Sequence, residues 1–576
     1  MPCHPSLRSR SIPLLLLAVS FLPAAGLAQA PAPPAAPSAA PPAAPSLGPA
    51  SQETFSESFD VTVVNVEVFV TDREGKRVTG LTRDDFQVLE DGKPVAITNF
   101  YAAEGSIVHP GTAAESPASP SVAVPEDQRM HLGVLIDTTN LAQGSRARLE
   151  KELTSFLASR LAPDDRVLLA SYGKDGFKAL PFRAGEAEGL KAAVAEAFTG
   201  SPVVSQRLMQ LRSLVGQVNR SATPGGKLDT AEWELDAARL DDAVASYGKQ
   251  VVQVTRGSVA ALEQFLTGMA GLPGRKALLY VSGGLPVQPL AGILEHYHGR
   301  FGQDQGPLAM NVEPLLRKVE ERANANRITL YALGEAEKIL PGVAFARLDQ
   351  RDRANLARGL DVVSLPTGGL SDLNANDPVG ALARMREDFD SYYSLGYTPP
   401  QRQAGESHAI QVKVNRPGLA VRHRQSYRQR SAAETLADRT VSALFFGARE
   451  NPLQVGVRLQ EGEKEKNQQS VTLELALPLA KITLIPNGES QEGKLQIAVA
   501  VRDAEGRSSN VTVLDLPVRI ANAKLQEMQG KTVGYKTKLA LRPLEQVVAV
   551  GVRDTVANLA SVVTTTWKPG ARGSTR

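Results

Sequence analysis

Apolar and polar residues along this chain follow three successive rhythms. From Phe59 to Tyr101 the period is two: Phe59, Val61 and Val63 alternate, and the parity then shifts to Val64, Val66, Val68 and Val70. Two adjacent valines at the shift predict a β-bulge or a strand that changes sheets. Asp72-Arg73-Glu74-Gly75 predicts a turn, and Glu90-Asp91-Gly92 a hairpin tip between Phe86/Val88 and Val95/Ile97. These elements predict a small all-β module over residues 57–104.

The second rhythm begins at Leu132. Leu132-Gly133-Val134-Leu135-Ile136 is a continuous apolar run ending at Asp137, as expected of a parallel strand buried on both faces. Leu149, Leu153, Phe156, Leu157 and Leu161 follow at helical spacing, and Val167-Leu168-Leu169-Ala170 is a second apolar strand. Helical stretches over 186–198, 229–269 and 312–324 alternate with strand-like runs at 277–281 and 328–333, which predicts a doubly wound parallel sheet over residues 129–430. A single helix of about forty residues would overshoot such a sheet, so an inserted segment is expected within 229–269. Tyr392-Tyr393-Ser394-Leu395-Gly396-Tyr397 and Ile410–Val414 are expected to finish this α/β domain as edge strands.

From about Ala433 alternation returns. Val455/Val457/Leu459, Val471/Leu473/Leu475/Leu477, Ile497/Val499/Val501, Leu539/Leu541 and Val548/Val550/Val552 predict a C-terminal β-sandwich over 433–570. Val501-Arg502-Asp503-Ala504-Glu505-Gly506-Arg507 echoes Val70-Thr71-Asp72-Arg73-Glu74-Gly75-Lys76, and two similar hairpins explain the echo without a repeat. The predicted fold class is therefore multidomain, a central α/β doubly wound domain flanked by all-β modules.

The remaining segments bear on location. Arg8 and Arg10, the apolar run Ile12–Leu22 and Gly26-Leu27-Ala28 have the form of a secretory signal over 1–30, with an N-terminal membrane anchor as the alternative. Residues 31–56 are rich in Pro, Ala and Ser, a semi-rigid spacer or an unstructured tail, and 105–128 is a second linker of similar character. The expected location is exported, periplasmic or secreted to the cell surface, with no membrane span after signal cleavage.

At 576 residues the chain is long enough for three or four domains, and 42% hydrophobic with 22% charged residues excludes wholesale disorder. The one cysteine, Cys3, lies in the expected signal, so disulfide scaffolds, thiolate metal sites and cysteine nucleophiles are excluded from the remainder. The formal charge of +3 becomes +1 once Arg8 and Arg10 are removed, leaving 62 basic against 61 acidic side chains. So balanced a chain has no bulk field for a nucleic-acid backbone, and aromatics at 5% are too few for a stacking platform.

Ligands of open parallel sheets bind beyond the carboxyl ends of the strands. Asp137 stands at such an end, and Ile136-Asp137-Thr138-Thr139-Asn140-Leu141 resembles the metal-ion-dependent adhesion motif of von Willebrand factor type A domains. There an Asp and two Ser, with a Thr and an Asp from two further loops, hold a divalent cation through hard oxygen ligands. Asp137 matches, and Thr139 keeps a hydroxyl. Leu141 replaces the second Ser, and Lys227 follows the Gly225-Gly226 pair where the Thr should be, with Thr223 and Thr230 only nearby. Gly283 of Tyr280-Val281-Ser282-Gly283-Gly284 stands where the third-loop Asp should be. The expectation is a degenerate site: no cofactor, with magnesium or another divalent cation at Asp137 and Thr139 as the exception, and Asp137, Thr139, Asn140 and Ser282 as partner-binding residues. A carboxylate from elsewhere, such as Asp229, is the candidate replacement ligand.

A wider resemblance covers about residues 57–430. Val68-Phe69-Val70-Thr71-Asp72, the run Gly80-Leu81-Thr82-Arg83-Asp84-Asp85-Phe86-Gln87-Val88-Leu89-Glu90-Asp91-Gly92-Lys93-Pro94, and Tyr392–Pro399 with the basic strand Val412–Arg424 resemble the acidobacterial von Willebrand factor A-related family. The resemblance implies exported proteins and brings no catalytic activity.

Other constellations are weaker. Glu295-His296-Tyr297-His298 could begin a metal site but lies among Gly292, Gly299 and Gly302, as a surface loop would. Gly530-Lys531-Thr532 has Leu525 where a phosphate loop needs its first glycine, and Ser282 lacks the glycine two residues earlier that a nucleophile elbow needs. Arg416, Arg422, His423, Arg424, Arg428 and Arg430 form a basic tract, read as a solvated edge-strand face or a surface for an acidic partner. The expected function is non-catalytic protein–protein or surface recognition of an extracytoplasmic partner. The alternatives are a metal-assisted hydrolase using Asp137 or His296/His298, and a purely structural envelope component.

Overall fold

The computed structural model describes residues 63–570 apart from 105–106, 111–121, 124–129, 161–166, 181–185, 201–208, 211–212, 215, 218–229, 292, 294–309, 337–345, 374–377, 401–403, 449, 466–467 and 505. The signal and spacer segments, Phe59 and Val61, Gly225-Gly226 and Lys227, Asp229, and His296 and His298 lie outside the described residues.

The first strands are β1 (Val64–Thr71), β2 (Phe86–Glu90), β3 (Lys93–Val95) and β4 (Asn99–Glu104). Val64, Val66, Val68 and Val70 all point into one core, as their alternation requires. β2 and β3 form the expected hairpin, with Glu90 paired to Lys93 and Asp91 and Gly92 at positive φ, the backbone that a two-residue turn needs. The expected linker 105–128 contains two further short strands, β5 (Ile107–Pro110) and β6 (Val122–Ala123), which extend the sheet beyond β4.

The chain then builds a second, largely parallel sheet from β7 (Met130–Asp137), β8 (Val167–Gly173), β9 (Gly176–Leu180), β10 (Arg275–Ser282), β11 (Ile328–Leu333) and β12 (Ser371–Asp372). Their order is β12-β11-β10-β7-β8-β9, all parallel except β9, which runs antiparallel to β8. Helices α1 (Arg146–Arg160), α2 (Ala187–Phe198), α3 (Thr230–Ala270), α4 (Glu313–Ala325), α5 (Ala346–Ser364) and α6 (Pro378–Asp390) cover both faces. Leu132, Val134 and Ile136 of β7 meet α1, α2 and α6 on one side, while Leu135 meets α3, α4 and α5 on the other. Both faces of the strand are therefore apolar, which is why its sequence reads as an unbroken run. Gly133 allows α3 to come close: a Cβ there would lie 2.4 Å from the Phe265 ring.

α3 is one uninterrupted helix of 41 residues, about 60 Å long at 1.5 Å per residue, with no inserted segment. Leu290 packs against it at Gly248, where any side chain would collide. The strands after α6 join a different sheet from the one expected. β13 (Ser391–Tyr397) lies between β1 and β4, β14 (Ser407–Val414) pairs with β2, β15 (Ala420–His423) pairs with β1, and β16 (Ser426–Arg428) pairs with β14. They complete the first β unit and do not edge the α/β sheet, which is thus inserted between two halves of a β unit. Tyr393, Leu395 and Tyr397 join the core of the β1 valines, and β13 is buried on both faces because it is central there.

The last segment opens on a helix, α7 (Ala432–Phe446), ahead of the alternating strands that the sequence predicts. Ser431 caps it, its hydroxyl accepting the Glu434 N–H at 3.1 Å while the Glu434 carboxylate accepts the Ser431 N–H at 2.9 Å. Eight strands follow: β17 (Gly456–Glu465), β18 (Gln468–Pro478), β19 (Ile485–Asn487), β20 (Ser490–Asp503), β21 (Thr512–Ala521), β22 (Thr532–Leu541), β23 (Gln546–Asp554) and β24 (Leu559–Trp567). They form the sheets β17-β18-β22 and β19-β20-β23-β24, with β21 also paired to β20, around one apolar core. The two echoing sequences make the same turn: the Asp72 N–H donates to Lys76 O and the Asp503 N–H to Arg507 O. α7 packs against this unit through Val441, Ala443 and Leu444, and against the end of α3, where the Gly271 N–H donates to Ser442 Oγ at 2.8 Å. The whole is a mixed α/β architecture with β-rich flanking units.

Candidate functional site

β7 ends in the middle of the parallel sheet, and register sets Ser282 of β10 and Tyr172 of β8 beside Asp137. Asp137 is fully buried. Its Oδ1 accepts from the Thr139 N–H at 2.9 Å and the Thr139 hydroxyl at 2.5 Å, and its Oδ2 accepts from the Tyr280 hydroxyl at 2.6 Å. Thr139 Oγ1 also lies 3.3 Å from Ser258 Oγ of α3. Burial, then the Asp137 charge, push the Tyr280 phenol well above its usual range, so it remains a donor. The same two causes raise Tyr172.

The loop after Asp137 folds down over the strand ends. Asn140 Nδ2 donates to Gly284 O at 3.2 Å, Ser282 Oγ accepts the Gly284 N–H at 3.2 Å, and the Ala142 N–H donates to Glu335 O at 2.9 Å. A Cβ at position 283 would sit 1.6 Å from the Asn140 carbonyl oxygen, so the third-loop carboxylate of the adhesion motif has no room here. Asp137, Thr139, Asn140 and Ser282 do come together, at 0%, 3%, 2% and 0% exposure. At that burial none of the four offers a partner a surface. A divalent cation does not fit the node either. Both carboxylate oxygens already accept hydrogen bonds from side chains of the same fold, and the second hydroxyl-bearing position of the motif is the apolar Leu141.

Sequence reading missed Tyr280. It is the apolar run's one phenol, but 143 residues separate it from Asp137, and only the register of β10 on β7 aims it there.

The basic tract is neither a solvated face nor uniformly exposed. Asp388, fully buried, accepts both Arg422 Nη2 contacts at 2.7 and 2.9 Å, a contact from Arg77 and the Tyr331 hydroxyl at 3.0 Å. Arg77 and Arg422 also lie over the Phe69 ring, at 5.4 and 5.1 Å. Arg424 is 7% exposed, and its Nη groups donate to the Asn324 and Asn65 carbonyls. His423 Nε2 accepts the Val412 N–H at 3.1 Å, and burial lowers its pKa. Arg416, paired with Asp85 at 2.7 Å, and Arg428, paired with Glu434 at 2.8 Å, are the exposed members of the tract. The tract stitches the first β unit to the base of the α/β unit. Close by, burial raises Glu67, but Arg327, Arg275 and Arg424 outweigh it and hold the carboxyl at about 2.

A second group that sequence reading missed is Glu90, Asp91 and His408, whose ligand atoms lie within 4.8 Å of one another. His408 Nδ1 is 3.0 Å from Asp91 Oδ2, and Glu90 Oε2 accepts the Tyr427 hydroxyl at 3.0 Å. An imidazole and two carboxylates are a donor set that could hold a transition metal. The signal was not legible because His408 comes from β14, which pairs with β2 only in the completed fold.

No protein-family model matches the chain, and no curated protein matches it. Solved structures similar to it include the N-terminal domain of TFIIH p34, with 13% identity over 46% of this chain and 98% of that one, TM-score 0.19. A mutant of the PilB minor pilin from Streptococcus sanguinis has 8% identity over 57% and 89%, TM-score 0.23. Bacteroides uniformis β-glucuronidase has 9% identity over 31% and 19%, TM-score 0.13. At such TM-scores these likenesses decide neither fold nor activity, and both rest on the chain's own geometry.

Proposed function

We propose that the chain is an exported, non-catalytic recognition protein, built around a von Willebrand factor A-like α/β unit with a degenerate metal-ion-dependent adhesion site. The sheet order, with the Asp-bearing strand central and one short antiparallel strand beside β8, supports the kinship of the α/β unit. The observation that carries the reading is the closed Asp137 node: the carboxylate that would hold a cation or do chemistry is spent on Tyr280 and Thr139. The node then orders the loops, and an extracytoplasmic protein partner meets their exposed rim at Gln143, Lys174 and Asp175. Export rests on the signal-like pattern of residues 1–30. Among the described residues, no helix is long and apolar enough to cross a membrane.

The test pairs two measurements on the chain lacking residues 1–30. Titration calorimetry with magnesium, manganese and calcium is expected to give the same absence of heat in this protein and in Asp137→Ala. Capture from envelope extracts is expected to fall in Lys174→Glu/Asp175→Lys and persist in Thr139→Ser. Micromolar metal binding that Asp137→Ala abolishes, or capture indifferent to the rim, overturns the reading. A metal-assisted hydrolase is the second reading, with the Glu90–Asp91–His408 group on its side. It requires turnover that is lost with chelator and in His408→Ala.

A further inference from the structure

A cleft of about 450 Å³ opens where all three units meet. Its walls come from the start of β1, the turn after α4, the first turns of α7, and the β23–β24 turn of the C-terminal sandwich. Six arginines line it, Arg327, Arg424, Arg428, Arg430, Arg439 and Arg553, and no Asp or Glu does.

Three of these cations are answered from behind. Arg327 pairs with Glu67 at 2.6 Å, Arg428 with Glu434 at 2.8 Å, and Arg430 with Asp438. The other three make no direct ion pair among the described residues, although the Glu67 charge also acts on Arg424. Arg553 donates only to the neutral side chains of Asn558 and Gln496, and Arg439 has no ion pair among the described residues. Arg424, more than nine-tenths buried, holds two backbone carbonyls, and its Nε has no hydrogen-bond partner. Glu67, already paired with Arg327, offsets the Arg424 charge only in part: burial, then the Arg327 charge, pull Arg424 down to about 10. The N-terminal turn of α7, with Ala432 and Thr435 on the wall, adds the positive end of a helix dipole.

We propose that this cleft is a binding site for a small polyanion carrying phosphate or carboxylate groups, which pairs with Arg439 and Arg553 and completes the partial counter-charge of Arg424. Planar guanidinium forks suit such oxyanions, and the volume is that of a small-molecule site. Because the walls belong to three units, the ligand also clamps them together. The site is independent of the recognition rim at the far end of the sheet.

The experiment is calorimetry and thermal melting with pyrophosphate and with citrate, separately, in buffer free of phosphate and divalent cations. Binding of either is expected, with a rise in melting temperature. Affinity is expected to fall at least about 10-fold in Arg553→Gln and again in Arg439→Gln, as lost charge-assisted bonds require. Preference for pyrophosphate or for citrate assigns the phosphate or the carboxylate class. Arg553 and Arg439 are half-exposed, so both variants fold independently of the buried Arg424. No binding of either anion in the millimolar range overturns the proposal. So does binding that both variants leave unchanged, and so does binding confined to long acidic polymers.

Discussion

Deleting one oxygen atom tests the central node. Tyr280→Phe removes the hydroxyl that lies 2.6 Å from Asp137 Oδ2 and leaves the ring in its fully buried slot. Asp137 keeps the two Thr139 donors on Oδ1, so its carboxylate is half-satisfied and out of reach of water. A hydrogen bond to a charged group contributes about 1.5–3 kcal/mol, and the stranded oxygen adds to that, so a loss of about 2–4 kcal/mol is expected. Urea unfolding followed by circular dichroism measures it, with hydrogen exchange over residues 130–141 reporting the local opening. A double-mutant cycle with Asp137→Asn then isolates the pair, and a coupling above about 1 kcal/mol is expected because the two groups touch. A loss within about 0.5 kcal/mol, the range of an ordinary surface change, would refute the reasoning. So would losses that simply add.

Further outcomes follow from the same geometry. Gly283→Asp, which restores the adhesion motif's third-loop carboxylate, is expected to cost more than about 4 kcal/mol and to bind no magnesium, because its Cβ would meet the Asn140 carbonyl at 1.6 Å; melting and calorimetry check both parts. Asp388→Asn is expected to cost about 3–5 kcal/mol in urea unfolding, since it removes the fully buried charge that answers the half-buried Arg422 and Arg77. The Glu67 carboxyl, lowered from 4.5 to about 2, stabilises the fold fully above pH 4.5. That share, about 3 kcal/mol, is lost as pH falls toward 2, and comparing acid unfolding with Glu67→Gln measures it. His423, lowered from 6.5, stabilises fully above pH 6.5 and less as pH falls below it, an effect expected to vanish in His423→Gln.

Local pattern determined much of this protein. The alternation of Val64 to Val70, the Asp91-Gly92 hairpin and the apolar run Leu132–Ile136 each specify an element, because burial on one face, a two-residue turn and burial on two faces leave distinct marks in neighbouring residues. Tertiary structure decided what neighbours cannot encode. The run Tyr392–Tyr397 is equally apolar whether it edges one sheet or centres another, and only its pairing with β1 and β4 chose between them. Arginines 422 and 424 read as solvated because charge is costly to bury, yet Asp388 draws Arg422 partly inward and the carbonyls of Asn65 and Asn324 allow Arg424 to be buried. The fate of Asp137 turned on Tyr280, delivered by strand register across 143 residues. Pairing choice, counter-charge and register are long-range quantities, and they exist only once the chain has closed on itself.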